Sequence, residues 1–111
     1  VETLDYPFEL VAPVILETGL SVCLDVGHLW LGGYDVDESL KTWLSRTRIV
    51  HLHGVRDGKD HLDLAVLEPG VLRALLARLG ADRVLQRVVT LEVFGEEPFE
   101  KSMNALSEIL V

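Results

Sequence analysis

The chain has 111 residues, a formal net charge of −8 and an apolar share of 49%. That is enough for one small domain with a buried core, and the scattered Lys and Arg residues form no basic patch of the kind that marks a nucleic-acid binder. The single cysteine, Cys23, rules out an internal disulfide and fits a reducing, cytoplasmic compartment, and no apolar run is long enough to span a membrane.

Taken in order, the chain divides into four units, each a short β-branched run, a loop and a helical stretch. Val1–Leu4 reads as the first strand and Phe8–Thr18 as its helix. Gly19 stands where a C′ glycine belongs, and Pro13 removes a donor, so it kinks or restarts that helix. Ser21–Val26 is the second strand. Asp37–Arg46 is the second helix, capped by Asp37 or by the nearby Asp35. Arg48–His53 is the third strand, and Pro69–Leu79 the third helix, with Gly80 after it. Val88–Phe94 and Pro98–Leu110 complete the series. Leu72, Leu75, Leu76 and Leu79 form one helical stripe, as do Met103, Leu106 and Leu110; these stripes and Trp43 read as core. Four alternations of strand and helix predict an α/β fold with a parallel sheet.

The polar residues sit at one end of this pattern. Each strand is apolar until near its C-terminal end, where it carries Glu2, then Asp25 with His28, then His51 with His53, then Glu92. Active sites of parallel α/β folds gather at that end, and an inward carboxylate is costly unless paired or metal-bound. Each residue also has a plainer reading: Asp25 as a helix cap, His28 as a surface histidine, the Arg56–Asp63 stretch as a solvated turn. Asp60 and His61 stand out within that turn. Gly27 lets the chain turn tightly after Asp25. His51 lies deeper in its strand than His53 and is the better ligand of the two. Glu96 and Glu97 precede Pro98, where first-turn carboxylates suit the helix dipole. Trp30 and Tyr34 are candidates to line a pocket. Mixed imidazole and carboxylate donors favour Zn²⁺, Mn²⁺, Co²⁺ or Fe²⁺ over Ca²⁺.

At these residues the chain resembles the xylose isomerase-like barrel superfamily, which contains endonuclease IV-type enzymes and many sugar isomerases and epimerases. The resemblance covers essentially the whole chain as the last four βα units. Val1-Glu2-Thr3 is similar to the family's fifth strand with its bridging glutamate. Cys23-Leu24-Asp25-Val26-Gly27-His28 resembles the Asp-x-x-His motif of the sixth, and His51-Leu52-His53-Gly54 the seventh. Thr90-Leu91-Glu92-Val93-Phe94 is similar to the eighth, with its closing glutamate. The resemblance implies that residues 1–111 are the C-terminal half of a (β/α)₈ barrel, since a complete one needs at least ~200 residues. It implies a divalent metal ion held among Glu2, Asp25, His28, His51, Asp60, His61 and Glu92, with Glu2, Glu92 and His53 in catalytic roles. One departure bears on a third, endonuclease-type ion: the family has Asp-x-His after strand seven, whereas Asp60 and His61 are adjacent here and His61-Leu62-Asp63 has the spacing reversed.

The string from His51 to Leu62 also resembles the cobamide-remodelling phosphodiesterase branch. The implied activity is metal-dependent hydrolysis of a small-molecule phosphoester, more narrowly the nucleotide loop of a corrinoid. A sugar isomerase or epimerase with a carboxylate base is the alternative. A non-catalytic half-barrel that binds metal or a corrinoid is a third reading. The expected partners are a phosphorylated, sugar-containing or corrinoid substrate, and either the missing N-terminal half or a second copy. An open half-barrel exposes one sheet face, with Val22, Leu24, Val88 and Val89 or their alternates on it.

Overall fold

The computed structural model describes residues 1–83 and 85–110. Of the expected Val1–Leu4 strand, one parallel bridge forms, between Glu2 and Cys23. Thr3 N–H donates to the Cys23 carbonyl at 3.1 Å, and Cys23 N–H to that of Val1 at 2.7 Å. Beyond it the Thr3 side chain replaces the ladder. Its hydroxyl accepts the Asp25 N–H at 2.8 Å and donates to the Asp25 carbonyl at 3.2 Å. A 3₁₀ turn, Phe8–Leu10, then leads into α1 (Ala12–Thr18), with Pro13 in its first turn. Pro13 therefore divides the expected Phe8–Thr18 helix, because its missing N–H is tolerated only at a helix start. Gly19, at φ 69°, closes α1.

β1 (Val22–Asp25) ends early because Val26 opens a short helix that the sequence pattern did not disclose, α2 (Val26–Leu31). α3 (Val36–Trp43) is capped by Asp35, not Asp37: Asp35 Oδ1 accepts the Glu38 N–H at 3.1 Å, and Asp37 falls in the first turn. A 3₁₀ turn, Leu44–Arg46, precedes β2 (Thr47–Leu52). Across the stretch read as a ligand-rich loop or turn, β3 (Gly54–Arg56) and β4 (Lys59–Leu62) form an antiparallel hairpin. Its tip residues Asp57 and Gly58 have φ values of 52° and 73°, the paired positive angles that an Asp-Gly hairpin turn requires. α4 (Pro69–Ala81) continues through Gly80, which is interior rather than the C′ residue. β5 (Val88–Leu91) is followed by α5 (Glu96–Leu110), which begins at Glu96 rather than Pro98.

β1, β2 and β5 form a three-stranded parallel sheet in that order, with the Glu2 bridge on the free side of β1. The fold is thus α/β. One sheet face carries Val22, Leu24, Val50 and Leu52, all at most 1% exposed, in a core with Leu29, Leu40, Leu44, Leu72 and Leu75. The opposite face carries Cys23, Ile49 and Val88 in one register row. Ile49 is 40% and Val88 62% exposed. The uncovered face therefore bears the alternates of Val22 and Leu24, which are themselves buried against the helices.

Two buried polar side chains pin the periphery. Arg87 donates to the Thr47 carbonyl at 3.0 Å, the Leu44 carbonyl at 2.5 Å and Asp82 Oδ2 at 3.1 Å, joining β5 to the entry of β2. Ser102 Oγ accepts the Leu64 N–H at 3.0 Å and donates to the Pro98 carbonyl at 2.7 Å, holding α5 to the loop after the hairpin. Among the described residues no helix is long and apolar enough to cross a membrane.

Candidate metal centre

Parallel pairing brings the strand ends level. Asp25 is in register with His51, and His51 with Thr90, so the next residue but one along β5's path, Glu92, reaches the same rim. Glu92 continues the pairing beyond β5 by donating its N–H to the Leu52 carbonyl at 3.0 Å. Glu2 arrives from the other side through its bridge to Cys23. One ligand atom from each of Glu2, Asp25, His51 and Glu92 lies within 4.8 Å of every other.

The centre of this group is His51 Nδ1. It lies 3.1 Å from Glu2 Oε1, 3.2 Å from Glu92 Oε1 and 3.7 Å from Asp25 Oδ2. A ring nitrogen carries at most one proton, so it cannot satisfy three carboxylates. Asp25 sharpens the point. Its Oδ1 accepts the His28 amide at 2.8 Å and lies 2.9 Å from His53 Nε2. Its Oδ2 is buried and, among the described residues, accepts no hydrogen bond. His28 Nδ1 is 3.0 Å from that oxygen but is not aligned to bond it. Burial would raise the Asp25 carboxyl; the hydrogen bonds from His53 and the His28 amide, with the neighbouring imidazoles, outweigh it and hold Asp25 below its ordinary value. It remains a buried carboxylate with one bare oxygen turned toward the other three groups.

A second set of side chains adjoins the first. Asp60 Oδ2 stands 3.6 Å from His28 Nε2 and 3.7 Å from His61 Nε2. The hairpin carries Asp60 and His61 over the rim, and His61 adopts a left-handed φ of 52°. Its Nδ1 meets the Glu92 carbonyl at 3.1 Å. Beside these residues a cavity of about 620 Å³ is lined by Leu4, Asp5, His28, Leu31, Tyr34 and Asp60, together with Gly32, and by no Lys or Arg. Tyr34 thus lines the opening next to the centre. Trp30 lines a different one, with Val36, Leu40 and Leu75.

His53, expected in a catalytic role, lies behind Asp25, and one ring nitrogen from each of His28, His53 and His61 lies within 4.8 Å of the others. His53 is completely buried, and both ring nitrogens are engaged, one by Asp25 and the other by the His61 amide at 3.0 Å. It does not line the cavity beside the centre. Burial lowers its pKa, and the hydrogen bond and charge of Asp25, with smaller contributions from the Gly54 backbone and the Asp60 charge, outweigh that and raise it. Cys23 lies near Glu2 and His51. Burial, then the charges of Glu2, Asp25 and Glu92, push its thiol up to about 11, so it stays protonated and is a poor ligand at neutral pH. Glu96 and Glu97 occupy the first turn of α5, and Glu97 pairs with Lys101 at 2.8 Å on the surface.

Thr3 and Arg87 were missed as organising residues. A threonine at a strand end and an arginine before a strand carry no local signal of the distant carbonyls they serve. The Asp57-Gly58 dipeptide, by contrast, was a readable hairpin signal. No protein-family model matches the chain, and no curated protein matches it. Fold and geometry together define an α/β chain with a cluster of imidazoles and carboxylates at the carboxyl ends of parallel strands.

Proposed function

We propose that the chain is the C-terminal half of a metal-dependent (β/α)₈-barrel enzyme that hydrolyses a phosphoester of a small molecule. The observation that carries this reading is the convergence of Glu2, Asp25 and Glu92 on one nitrogen of His51, with Asp25 Oδ2 buried and unbonded. At an effective dielectric of ~20, two carboxylates ~4.8 Å apart repel by roughly 3 kcal/mol. Three such pairs cost an amount comparable to the whole net stability of a domain, ~5–15 kcal/mol. One imidazolium offsets part of it, and a divalent cation offsets more. Three carboxylates with one imidazole suit Zn²⁺, Mn²⁺, Co²⁺ or Fe²⁺. Such an ion supplies Lewis acidity toward a phosphoryl oxygen and lowers the pKa of a water. Glu2, Asp25, His51 and Glu92 hold it; Glu2 and Glu92, partly open to solvent, are the carboxylates that face a substrate.

The adjoining group of His28, Asp60 and His61 favours a hydrolase, because phosphoester chemistry draws on a second cation or on donors that orient the phosphoryl oxygens. A sugar isomerase or epimerase is favoured by a different observation: the cavity beside the centre has no Lys or Arg to meet a phosphate and is lined by Asp5, Asp60 and Tyr34, which suit hydroxyl groups. Product analysis separates the two, since a hydrolase releases two fragments and an isomerase one. The narrower assignment to the nucleotide loop of a corrinoid rests on the resemblance of the His51–Leu62 string. The uncovered sheet face, with Ile49 and Val88, is the face that an N-terminal half-barrel or a second copy covers in this reading, and the compartment that suits it is the cytoplasm.

Metal analysis of the intact protein tests the proposal. Bound divalent metal is expected at one or two ions per chain, and Asp25→Asn should lose it while keeping the fold, because an amide has nearly the same shape and is a poorer ligand. Unchanged metal content in that variant refutes Asp25 as a ligand.

A further inference from the structure

His53 has no free nitrogen. A backbone N–H only donates, so the His61 amide makes His53 Nδ1 an acceptor and puts the ring proton on Nε2, facing Asp25 Oδ1 at 2.9 Å. The ring is 0% exposed. Both of its nitrogens are thus engaged within the protein, and its Nε2 holds the bonded oxygen of the carboxylate whose other oxygen, Oδ2, accepts no hydrogen bond among the described residues. The terminal torsion of an aspartate is broad and two-fold, so nothing intrinsic decides which oxygen faces the rim. Two hydrogen bonds converging on Oδ1, from His53 Nε2 and the His28 amide, decide it and leave Oδ2 toward Glu2, His51 and Glu92.

The room for that ring comes from Gly27. A Cβ at Gly27 would overlap Cε1, Nε2 and Nδ1 of His53. Gly27 lies inside α2 and is not among the positive-φ residues, so the backbone conformation does not call for glycine there. Within a helix, glycine costs about 1 kcal/mol relative to alanine. The tight turn expected after Asp25 is thus not what Gly27 serves. It keeps α2 clear of the imidazole.

We propose that Gly27 and His53 form one positioning device for Asp25: the absent side chain of Gly27 admits the His53 ring, whose Nε2–H turns the free Asp25 oxygen into the centre. This rests on the cation-binding reading above. The same ring accepts the amide of His61, so the seat of the hairpin and the aim of Asp25 depend on one side chain. Outer partners of metal ligands typically change metal affinity by ~10–100-fold when removed.

The test uses Co²⁺ as the probe, followed by its visible absorption on titration into the intact, metal-stripped protein. His53→Asn superposes its oxygen on Nδ1 and keeps the acceptor for His61, but it is too short to donate to Asp25. His53→Gln reaches the Nε2 position and keeps the donor to Asp25. The Asn variant should bind Co²⁺ ~10–100-fold more weakly than wild type, and the Gln variant within a few-fold of it. Gly27→Ala, which crowds the ring while raising helix propensity, should weaken binding as Asn does. Far-UV circular dichroism and the urea midpoint report folding for each, and the Gly27→Ala arm decides the matter where His53→Asn does not fold. Equal Co²⁺ affinity in folded Asn and Gln variants, or a Gly27→Ala protein that binds as wild type does, overturns the positioning role while leaving the cation reading intact. A wild-type protein that binds no Co²⁺ overturns the cation reading and this role with it.

Discussion

Glu92→Gln isolates the electrostatics of the centre from the architecture around it. Unlike the Asp25 side chain, that of Glu92 caps no helix among the described residues; its partners are imidazoles, at 3.2 Å from His51 Nδ1 and 3.9 Å from His61 Nδ1. Its oxygen lies within 4.8 Å of ligand atoms of Glu2 and Asp25. At roughly 3 kcal/mol per carboxylate pair, neutralising Glu92 removes a gross repulsion of about 6 kcal/mol. The side chains of Glu92 and Glu2 are 29% and 32% exposed, so solvent screens part of it, and the favourable contact with His51 is lost. A net gain of about 1–3 kcal/mol remains for the metal-free protein. With metal present the difference narrows. A site filled at 100 times its Kd adds about 2.7 kcal/mol to the wild type, and a variant lacking one ligand gains less at the same concentration. The assay is urea unfolding of the intact protein in chelator and again in excess Zn²⁺. The lead of Glu92→Gln over wild type in chelator should shrink in excess Zn²⁺. A variant that is less stable than wild type in chelator, or one that gains as much from Zn²⁺, refutes the reasoning.

Three further outcomes are expected. Ser102→Ala leaves the buried Leu64 N–H without its acceptor and should cost about 1–3 kcal/mol with Co²⁺ affinity unchanged; an unaltered denaturation midpoint contradicts this. Arg87→Met keeps the aliphatic stem but strips donors from the Thr47 and Leu44 carbonyls, and should cost about 3 kcal/mol by the same measurement. The isolated chain of residues 1–111 should self-associate at micromolar concentration in light scattering, because Ile49 and Val88 lie bare on the sheet. A monomer with cooperative unfolding would show that the sheet needs no cover and would sink the half-barrel reading.

What the sequence disclosed follows from which signals are local. Two strands were legible to within a residue at each end, Val22–Asp25 and Thr47–Leu52, whereas β5 stops at Leu91 and not at Phe94, the first strand is reduced to the Glu2 bridge, and the hairpin of β3 and β4 stands where a loop was read. The meeting of Glu2, Asp25, His51 and Glu92 followed from parallel register alone, since each stands at the carboxyl end of its run. α2 escaped notice because it spans only Val26–Leu31, too short for an apolar period to develop. Its start is set by the Asp25 side chain, which caps it with Oδ1 and leaves Oδ2 without a hydrogen bond among the described residues. The choice of Asp35 over Asp37 as cap turns on two residues of register that composition does not determine. The role of Gly27 was illegible for another reason: the ring that needs its space lies 26 positions away, at His53.

The four groups of the centre are not held equally, and the difference points back to the bare face of the sheet. Asp25 sits on β1 and His51 on β2, paired in register within the sheet. Glu2 and Glu92 lie on its two flanks, where the backbone is tied on one side only. The Glu2 segment hangs on its bridge to Cys23 and on the Thr3 hydroxyl, with the Glu2 carbonyl further accepting the Tyr6 hydroxyl at 2.6 Å. Glu92 hangs on its N–H bond to the Leu52 carbonyl and on the contact of its own carbonyl with His61 Nδ1 at 3.1 Å. In a closed barrel each flank pairs with a further strand, and closure alone removes such edges. The two carboxylates whose spacing sets the size of the centre are thus the two whose backbone an added half would fix. A preformed site loses less freedom when it binds, so affinity rises with the rigidity of its ligands. On the proposed half-barrel reading, completion of the sheet and completion of the centre would be one event, and the metal affinity to measure would be that of the intact protein.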